Sequence, residues 1–254
     1  VLLLLACASA GAMSSIFKAP IAGIVFVLEV LMIDLTMSSL IPLLLASLTG
    51  ALVSYLFLGM DVLYPAEIRH EFLISEVPYY IILGVFTGFV SLYFTRMYKR
   101  VERGFDRFKN RYTKWIIGSV ALGLIIFFFP SLYGEGYDSI NASLHGNFSY
   151  LFDRSVFYGM QNNILVVFIF FILIILLKVI ATSITFGSGG VGGIFAPTLF
   201  MGVNSGLFFA KVFNYFKWHQ LTESHFALAG MGGLIAGVLH APLTGMFLIA
   251  EITG

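Results

Sequence analysis

The chain has 254 residues, of which 59% are hydrophobic and 11% are charged, and its mean hydropathy is +0.96. Soluble domains carry about one quarter of charged residues, so this composition excludes an ordinary soluble protein and predicts a polytopic membrane protein. The formal net charge of +1 gives no reason to expect nucleic acid as a partner. The single cysteine, Cys7, excludes an internal disulfide framework.

Nine apolar segments follow one another along the chain. Several are shorter than the roughly 20 residues that a helix needs to cross the hydrocarbon core of a bilayer. Short apolar segments interrupted by Gly or Pro are typical of transporters built from broken helices, whose irregular backbone surrounds a cavity. We therefore predict an all-α integral membrane protein of tilted and broken helices. The nine segments lie at about residues 1–16, 20–33, 39–59, 77–95, 115–129, 163–186, 197–216, 225–239 and 241–252.

The two ends of the chain lack the features of a complete reading frame. The first residues, VLLLLACASAG, include neither an initiator Met nor the basic region of a signal peptide. The last residues, EITG, follow an apolar segment directly. These features predict a fragment truncated at both ends.

Charged residues are distributed unevenly on the two sides of the segment at 77–95. Eight of the 14 Lys and Arg residues fall within residues 96–114, whereas residues 61–76 carry four acidic residues and one Arg. By the positive-inside rule, the loop 96–114 is cytoplasmic and residues 61–76 lie on the opposite side of the membrane. A lipid- or nucleic-acid-binding patch is the alternative interpretation of the basic run.

Two segments near the ends of the chain repeat each other. FKAPIAGIVFVLEV and LHAPLTGMFLIAEIT superpose without gaps at a constant offset of 222, which pairs Pro20 with Pro242 and Glu29 with Glu251. This match indicates an internal duplication of a membrane unit. Two roles are open for the paired glutamates, because intramembrane carboxylates either carry protons or stabilise helix ends.

One cation, Lys178, lies inside the apolar segment at 163–186. A cation in this position could draw anions toward a transport pathway. Alternatively, its long side chain could extend the charge to an interface.

The stretch GSGGVGGIFAP, residues 187–197, joins two apolar segments. Pro197 suits the first turn of a helix, because its φ fits that turn and its missing N–H would have no intrahelical partner there. A helix is therefore predicted to begin beside Phe195 and Ala196, with its first amides directed toward the glycine loop.

The start of this helix is a candidate anion site. Its partial charge attracts a unit anion by about 2 kcal/mol at roughly 4 Å in an effective dielectric near 20, against about 4 kcal/mol for a full Lys or Arg charge. A site built from dipoles alone binds weakly enough to release its ion, as conduction requires. The alternative role of the glycines is close packing between helices.

The segment KVIATSITFGSGGVGGIFAPTLFMG, residues 178–202, resembles the third anion-site segment of the CLC family of chloride channels and chloride/proton antiporters. FKAPIAGIVFVLE and HAPLTGMFLIAEIT are similar to two further family segments, and GEGYDSI is similar to the Gly-x-Gly-Tyr turn of the family. The core Gly-Gly-Ile-Phe-Ala-Pro of the third segment is matched by Gly192, Gly193, Ile194, Phe195, Ala196 and Pro197.

The resemblance implies a CLC-type inverted-repeat bundle that forms a homodimer in the bilayer, with one pore in each subunit. The chain would be part of a single transmembrane domain, with the end of the first repeat at residues 1–95 and the second repeat at about 96–254. The membrane would be the inner or plasma membrane of a prokaryotic cell. Chloride is the implied ligand, with no other cofactor, no metal site and no catalytic residue. The implied anion-binding residues are Gly192, Gly193, Ile194, Phe195 and Ala196, with the amides of Ile194 and Phe195 as donors.

The resemblance also bears on proton coupling. In the antiporters of the family, the segment that matches APIAGIVFVLEV ends in two consecutive glutamates, and the second accepts the internal proton. Glu29 occupies the first of these positions and Val30 the second. Since Val30 cannot bind a proton, the resemblance favours a passive chloride channel, and Glu29 is the titratable group that could substitute.

Two other functions are compared with this prediction. Proton-coupled antiport of chloride or fluoride is the first alternative. An intramembrane enzyme is the remote alternative, and the sequence has no HExxH motif, no GxSG motif and no paired membrane aspartates.

Overall fold

The computed structural model describes residues 1–32, 36–59, 73–144, 149–153, 155–161 and 163–253. All regular structure in these ranges is helical, which confirms the predicted all-α class. Apart from short 3₁₀ turns, the described helices are α1 (Leu2–Phe17), α2 (Pro20–Leu31), α3 (Met37–Leu58), α4 (Val77–Asp106), α5 (Arg111–Phe128), α6 (Tyr137–Leu144), α7 (Ile164–Gly187), α8 (Phe195–Tyr215), α9 (Glu223–Leu239) and α10 (Pro242–Thr253).

Each of the nine predicted apolar segments forms one of these helices. Hydropathy did not identify α6, because its sequence YDSINASL is short and half polar. Four described helical stretches are long and apolar enough to cross a membrane. They are Ser38–Leu58, Ile74–Asp106, Arg111–Phe128 and Ile164–Gly187, whereas α1, α2, α9 and α10 are apolar but shorter. The predicted mixture of long and short apolar helices is therefore present.

The basic run at 96–114 is not a loop. Helix α4 continues to Asp106 and α5 begins at Arg111, so only residues 107–110 connect them. Arg, Lys and Glu favour helix almost as strongly as Leu does, so the helix does not end where its apolar part ends. The membrane side of this region, and that of residues 61–76, stays a prediction; most of 61–76 lies outside the described residues.

Contacts group the chain into two compact units. The first unit combines residues 1–71 with 235–254 and contains α1, α2, α3 and α10. The second unit, residues 72–234, contains α4 to α8 and the larger part of α9. The predicted single domain, with a repeat boundary near residue 95, stays a prediction.

In the first unit, α1, α2 and α3 approach one another closely. A Cβ placed on Gly23 of α2 would lie 2.7 Å from the carbonyl oxygen of Ala10 in α1, so the small residue permits this crossing. The Ser14 hydroxyl donates to the Ser47 carbonyl at 2.6 Å, and the Ser47 hydroxyl donates to the Pro20 carbonyl at 2.6 Å. The Ser14 and Ser47 hydroxyls are thus paired, as an apolar environment favours.

The repeat seen in the sequence is also present in the backbone of the first unit. Helices α2 and α10 each have 12 residues, and their first residues, Pro20 and Pro242, are separated by the repeat offset. Lys18 and His240, which precede the two Ala-Pro pairs, both adopt the left-handed conformation, with φ of 54° and 57°. The two copies therefore share the same helix start and the same turn before it.

In the second unit, α8 packs against α9 through small residues. A Cβ on Gly202 would lie 2.6 Å from the Cα of Met231, so the two backbones are in direct contact. Beside this crossing, the Phe226 ring stacks on Tyr80 and Phe209, with centroid separations of 4.4 and 5.9 Å. Most of α8 is buried, so the unit holds this helix firmly.

Candidate functional site

Helix α7 ends in a tight turn just before the candidate anion site. The amide of Gly190 donates to the Thr185 carbonyl at 2.8 Å, and the amide of Gly189 donates to the Phe186 carbonyl at 3.0 Å. Gly189 has a φ of 98°, which a residue with a side chain rarely adopts. These two bonds and the left-handed glycine form a Schellman motif. The motif satisfies the last carbonyls of α7 and releases the chain toward α8.

Helix α8 begins where the sequence predicts. Phe195 is its first residue, Ile194 is its cap, and Pro197 lies in its first turn. The Thr198 amide donates to the Ile194 carbonyl at 3.1 Å, which closes the first helical bond. Ile194 offers no side-chain cap to the amides of this turn. The loop before it contains neither an acidic nor a basic residue.

The five glycines of the loop have different surroundings. A Cβ on Gly187 would lie 2.7 Å from the Phe105 ring, and one on Gly190 would lie 2.8 Å from the Thr185 carbonyl oxygen. Close packing therefore explains these two glycines. Gly192 has only the Phe186 ring nearby, at 3.6 Å, and Gly193 has no atom within 4 Å of its Cβ direction. The space beside Gly192 and Gly193 is open, and both residues are exposed.

Lys178 lies behind the first turns of α8 and is only 2% exposed. Its ammonium donates to the carbonyls of Leu132 and Gly134, at 3.1 and 2.8 Å. The same nitrogen lies 4.7 Å from the centre of the Phe200 ring of α8. The proposed extension of Lys178 to an interface is therefore wrong. The carbonyls of Leu132 and Gly134 bind the ammonium directly and replace water as its partners.

A polar network that the sequence analysis missed connects α6 to α8. The side-chain Nδ2 of Asn204 donates to the Phe200 carbonyl at 2.7 Å. The side-chain Oδ1 of Asn204 accepts from the Tyr150 hydroxyl. The Ser143 hydroxyl donates to the Tyr150 hydroxyl at 2.8 Å. Asn204 is fully buried within an apolar helix, and that isolated polar residue is the sequence signal that could have revealed the network.

The repeat-related glutamates lie in the first unit, and each one binds the start of the other helix. The Glu29 carboxylate of α2 accepts hydrogen bonds from the amides of Leu243 and Thr244 at 2.9 and 2.7 Å, and from the Thr244 hydroxyl at 2.6 Å. The Glu251 carboxylate of α10 accepts from the amides of Ile21 and Ala22 at 2.9 and 2.7 Å.

These bonds form a reciprocal clamp between α2 and α10. Each carboxylate neutralises the positive end of the helix that it binds, which stabilises a helix start in a low-dielectric environment. The sequence offered a proton-carrying role and a structural role for Glu29 and Glu251, and the geometry provides direct contacts for the structural one. Val30, the next residue, is 39% exposed and has only a hydrocarbon side chain.

The predicted site residues thus fall into two groups. Gly192, Gly193, Ile194, Phe195 and Ala196 form one continuous stretch of the second unit, while Glu29 and Val30 belong to the first. Among the described residues, no cluster of three or more His, Cys, Asp or Glu side chains could hold a metal ion.

Comparison with known proteins identifies the family of the chain. The sequence model of the family described as "Voltage gated chloride channel" matches residues 2–254. The chain is 28% identical to the voltage-gated ClC-type chloride channel ClcB of Citrobacter koseri, over 98% of this chain and 56% of that protein. It is 30% identical to the H(+)/Cl(-) exchange transporter ClcA of Salmonella typhi, over 98% of this chain and 51% of that protein.

A solved structure has the same fold. The crystal structure of a slow cyanobacterial Cl-/H+ antiporter superposes with a TM-score of 0.77 and 26% identity, over 99% of this chain and 56% of the other. The chain spans about half the length of the curated relatives that it matches. Because the family model covers nearly every residue, the chain belongs to the voltage-gated chloride channel family, the CLC family.

Proposed function

We propose that the protein transports chloride or another small anion across a membrane, and that the ion binds at the start of α8. The amides of Ile194 and Phe195 are the donors, and Gly192, Gly193 and Ala196 border the site. The protein acts as a transporter and not as an enzyme, and it needs no cofactor other than the bound ion. It works as a homodimer in the inner or plasma membrane of a prokaryotic cell, with residues 96–114 on the cytoplasmic side.

One observation carries this proposal. The start of α8 has no side-chain cap, it follows a loop without charged residues, and open space lies beside Gly193. A helix start of this kind attracts an anion, and its partial charge is small enough for the ion to leave again. The packing of Gly187 and Gly190 shapes the turn, but it does not account for glycine at positions 192 and 193.

The transport is passive in this proposal. At the place where the resemblance expects a proton acceptor, Val30 has no titratable group. Glu29, its neighbour, accepts three hydrogen bonds from the start of α10. These bonds hold the Glu29 carboxylate against the start of α10, where it has a structural partner.

Proton-coupled exchange is the second candidate, because relatives of this chain carry that activity in their names. The relative from Salmonella typhi is named an H(+)/Cl(-) exchange transporter. The cyanobacterial structure is described as a Cl-/H+ antiporter. Glu29 would then be the acceptor, and proton binding would have to break the clamp on α10.

The anion site is tested with crystals of the protein expressed from its complete reading frame. After a bromide soak, we expect an anomalous peak within hydrogen-bond reach of the amide nitrogens of Ile194 and Phe195. A peak that occurs only beside Lys178 or beside the basic residues at 96–107 would contradict the proposed site.

The coupling is tested with the same protein in liposomes under a chloride gradient, with the voltage clamped at zero and the external pH recorded. We expect chloride flux without proton movement in the parent protein. Val30→Glu tests whether the missing carboxylate is the reason, and Val30→Gln is its uncharged control of the same size. Uphill proton flux at a fixed ratio to chloride in the parent protein would support the antiport candidate instead.

A further inference from the structure

The C-terminal part of α4, together with its C-cap residue Arg107, carries a one-sided band of positive charge. It consists of five exposed residues, which we call the basic face: Arg96, Lys99, Arg100, Arg103 and Arg107. Because successive residues of an α-helix are turned by about 100°, these five positions fall within an arc of roughly 100° around the helix axis. Phe105 lies on the opposite side, where it is buried and packs against Gly187. One side of the helix is therefore fixed by packing, and the charged side faces outward.

The basic face lines a cleft of about 640 Å³ together with Gly104. No atom lies within 4 Å of the Cβ direction of Gly104, so the floor of the cleft is open. A volume of several hundred Å³ is typical of sites for small ligands and headgroups. The usual ligand pocket is mostly apolar. In this cleft, five of the six lining residues are basic.

No described residue forms a hydrogen bond or an ion pair with these charges. Among the hydrogen bonds and ion pairs between described residues, none involves a side chain of the basic face. The nearby acid Asp106 is bound to Lys114 of α5 at 3.6 Å. Glu102 lies on the flank of α4, outside the arc of the basic face. The five positive charges therefore remain available to an external anion.

Two ordinary explanations account for only part of this pattern. A cation in the last turn of a helix complements the helix dipole. Of the five basic residues, only Arg103 lies in the last turn of α4. The positive-inside rule explains how many basic residues follow a span, but it places no restriction on which side of a helix they occupy. The restriction to one face and the cleft beside it need a further cause.

The surroundings of the basic face are those of a membrane interface. The face continues directly from the apolar part of α4, which is long enough to cross a bilayer. Tyr112 and Trp115, in the first turns of α5, are 74% and 62% exposed. Exposed Tyr and Trp beside a span are typical of the headgroup level. The ion pair between Asp106 and Lys114 holds the ends of the two helices at this same level.

We propose that the basic face binds the phosphate groups of anionic phospholipids. Arginine matches phosphate well, because its planar guanidinium donates two parallel hydrogen bonds to the phosphate oxygens. Four of the five residues are arginines. The proposal rests on the membrane orientation in the proposed function, and it is independent of which ion is transported.

The test uses Trp115 as a reporter of nearby lipid. The full-length protein keeps Trp115, while Trp218 and any tryptophan outside this chain are replaced by Phe. The protein is reconstituted in phosphatidylcholine bilayers that contain either brominated phosphatidylglycerol or brominated phosphatidylcholine, since bromine quenches tryptophan fluorescence on contact. We expect stronger quenching by the brominated anionic lipid at equal mole fraction.

A matched pair of variants separates a specific face from general surface charge. Arg100→Gln with Arg103→Gln removes two charges from the basic face. Lys109→Gln with Arg111→Gln removes two charges from the adjoining connection. One basic residue near an anionic surface contributes a preference for anionic lipid of up to about fivefold. In the first variant, the preference for the brominated anionic lipid should therefore decrease by about threefold or more. The second variant should retain it, and circular dichroism checks that both are folded.

Three results would overturn the proposal. Equal quenching by the two brominated lipids in the parent protein would show that no anionic lipid is preferred. Equal losses in the two double variants would show that only general surface charge acts. Reversal of the quenching by millimolar inorganic pyrophosphate would assign the face to soluble phosphates instead. Chloride flux is not part of this measurement. Failure of the lipid proposal can therefore be distinguished from failure of the proposed transport function.

Discussion

Three helices of this chain have an Ala-Pro pair at their start, and they differ in what binds their first turns. In the first unit, α2 and α10 begin with Pro20 and Pro242, and a carboxylate from the other helix accepts hydrogen bonds from two amides of each start. In the second unit, α8 contains Pro197 in its first turn. Its cap residue provides no side-chain hydrogen bond, and the loop before it has no carboxylate.

The difference shows two uses of the same electrostatic feature. All three helix starts carry a partial positive charge that an anion stabilises. At α2 and α10 the anion is a covalently attached glutamate, so the charge is neutralised permanently and the two helices are joined. At α8, under the proposed function, the anion is a mobile ion, because a permanent carboxylate would block the exchange that transport needs.

The largest expected effect comes from breaking the clamp. Glu29→Gln replaces a charged acceptor of three hydrogen bonds by an amide whose NH₂ group opposes one of the donors, so we expect a loss of about 3 kcal/mol of stability. Glu251→Gln affects two donors and should cost about 2 kcal/mol. The free energy of unfolding, measured by SDS titration of the full-length protein with circular dichroism, tests both values.

The exposed Glu102 of α4 provides the matched control for the clamp. It takes part in no described hydrogen bond or ion pair, and Glu102→Gln should change stability by less than about 0.5 kcal/mol. The structural role would be refuted if Glu29→Gln left stability unchanged. If the parent protein moved protons in liposomes and Glu29→Gln abolished that movement, Glu29 would be the proton acceptor of an antiporter.

Lys178 provides a further test of the comparison, because its ammonium lies 4.7 Å from the centre of the Phe200 ring of α8. Lys178→Met leaves the carbonyls of Leu132 and Gly134 without their donor, and we expect a loss of about 2 kcal/mol of stability. Lys178→Arg keeps a charged donor and should retain more of it. The same SDS titration measures both variants.

The sequence alternative for Lys178 makes a different prediction. If the residue draws anions toward the pathway, Lys178→Met should weaken halide binding while the fold keeps its stability. Isothermal titration with bromide, performed beside the unfolding measurement, separates the two roles. Weaker bromide binding at unchanged stability would contradict the structural role that the contacts of Lys178 indicate.

Local sequence signals and tertiary contacts contributed differently to these results. Hydropathy located nine helices, and Pro197 located the start of α8, because apolar runs and a fixed φ act within a few residues. The partners of Glu29 are more than 200 positions away, at Leu243 and Thr244. The repeat showed that Glu29 and Glu251 are equivalent, but no local rule states that each one binds the helix of the other.

The missed features have the same physical origin. Helix α6 is linked to α8 through Tyr150, whose hydroxyl accepts from Ser143 of α6 and donates to Asn204 of α8. Such tertiary contacts override a weak hydropathy signal. The basic run continues α4 because its residues favour helix, whereas the sequence analysis used their charge alone. The proposed anion site consists of backbone amides, which the sequence indicates only through the glycines and the proline around them.

The smallest expected change in stability gives the most direct test of the comparison, because it isolates the glycines of the α8 start. Gly190→Ala places a Cβ 2.8 Å from the Thr185 carbonyl oxygen, and we expect it to destabilise the protein by roughly 1–3 kcal/mol. The Cβ added by Gly193→Ala has no atom within 4 Å, so the effect of this substitution on the free energy of unfolding should stay within about 0.5 kcal/mol. Its added methyl group nevertheless projects into the open space at the entry to this helix. We therefore expect Gly193→Ala to weaken bromide binding by isothermal titration while the unfolding free energy is unchanged. If Gly193→Ala binds bromide as the parent protein does, the open space at the α8 start has no part in holding the ion, and the contrast with the clamped starts of α2 and α10 loses its functional meaning.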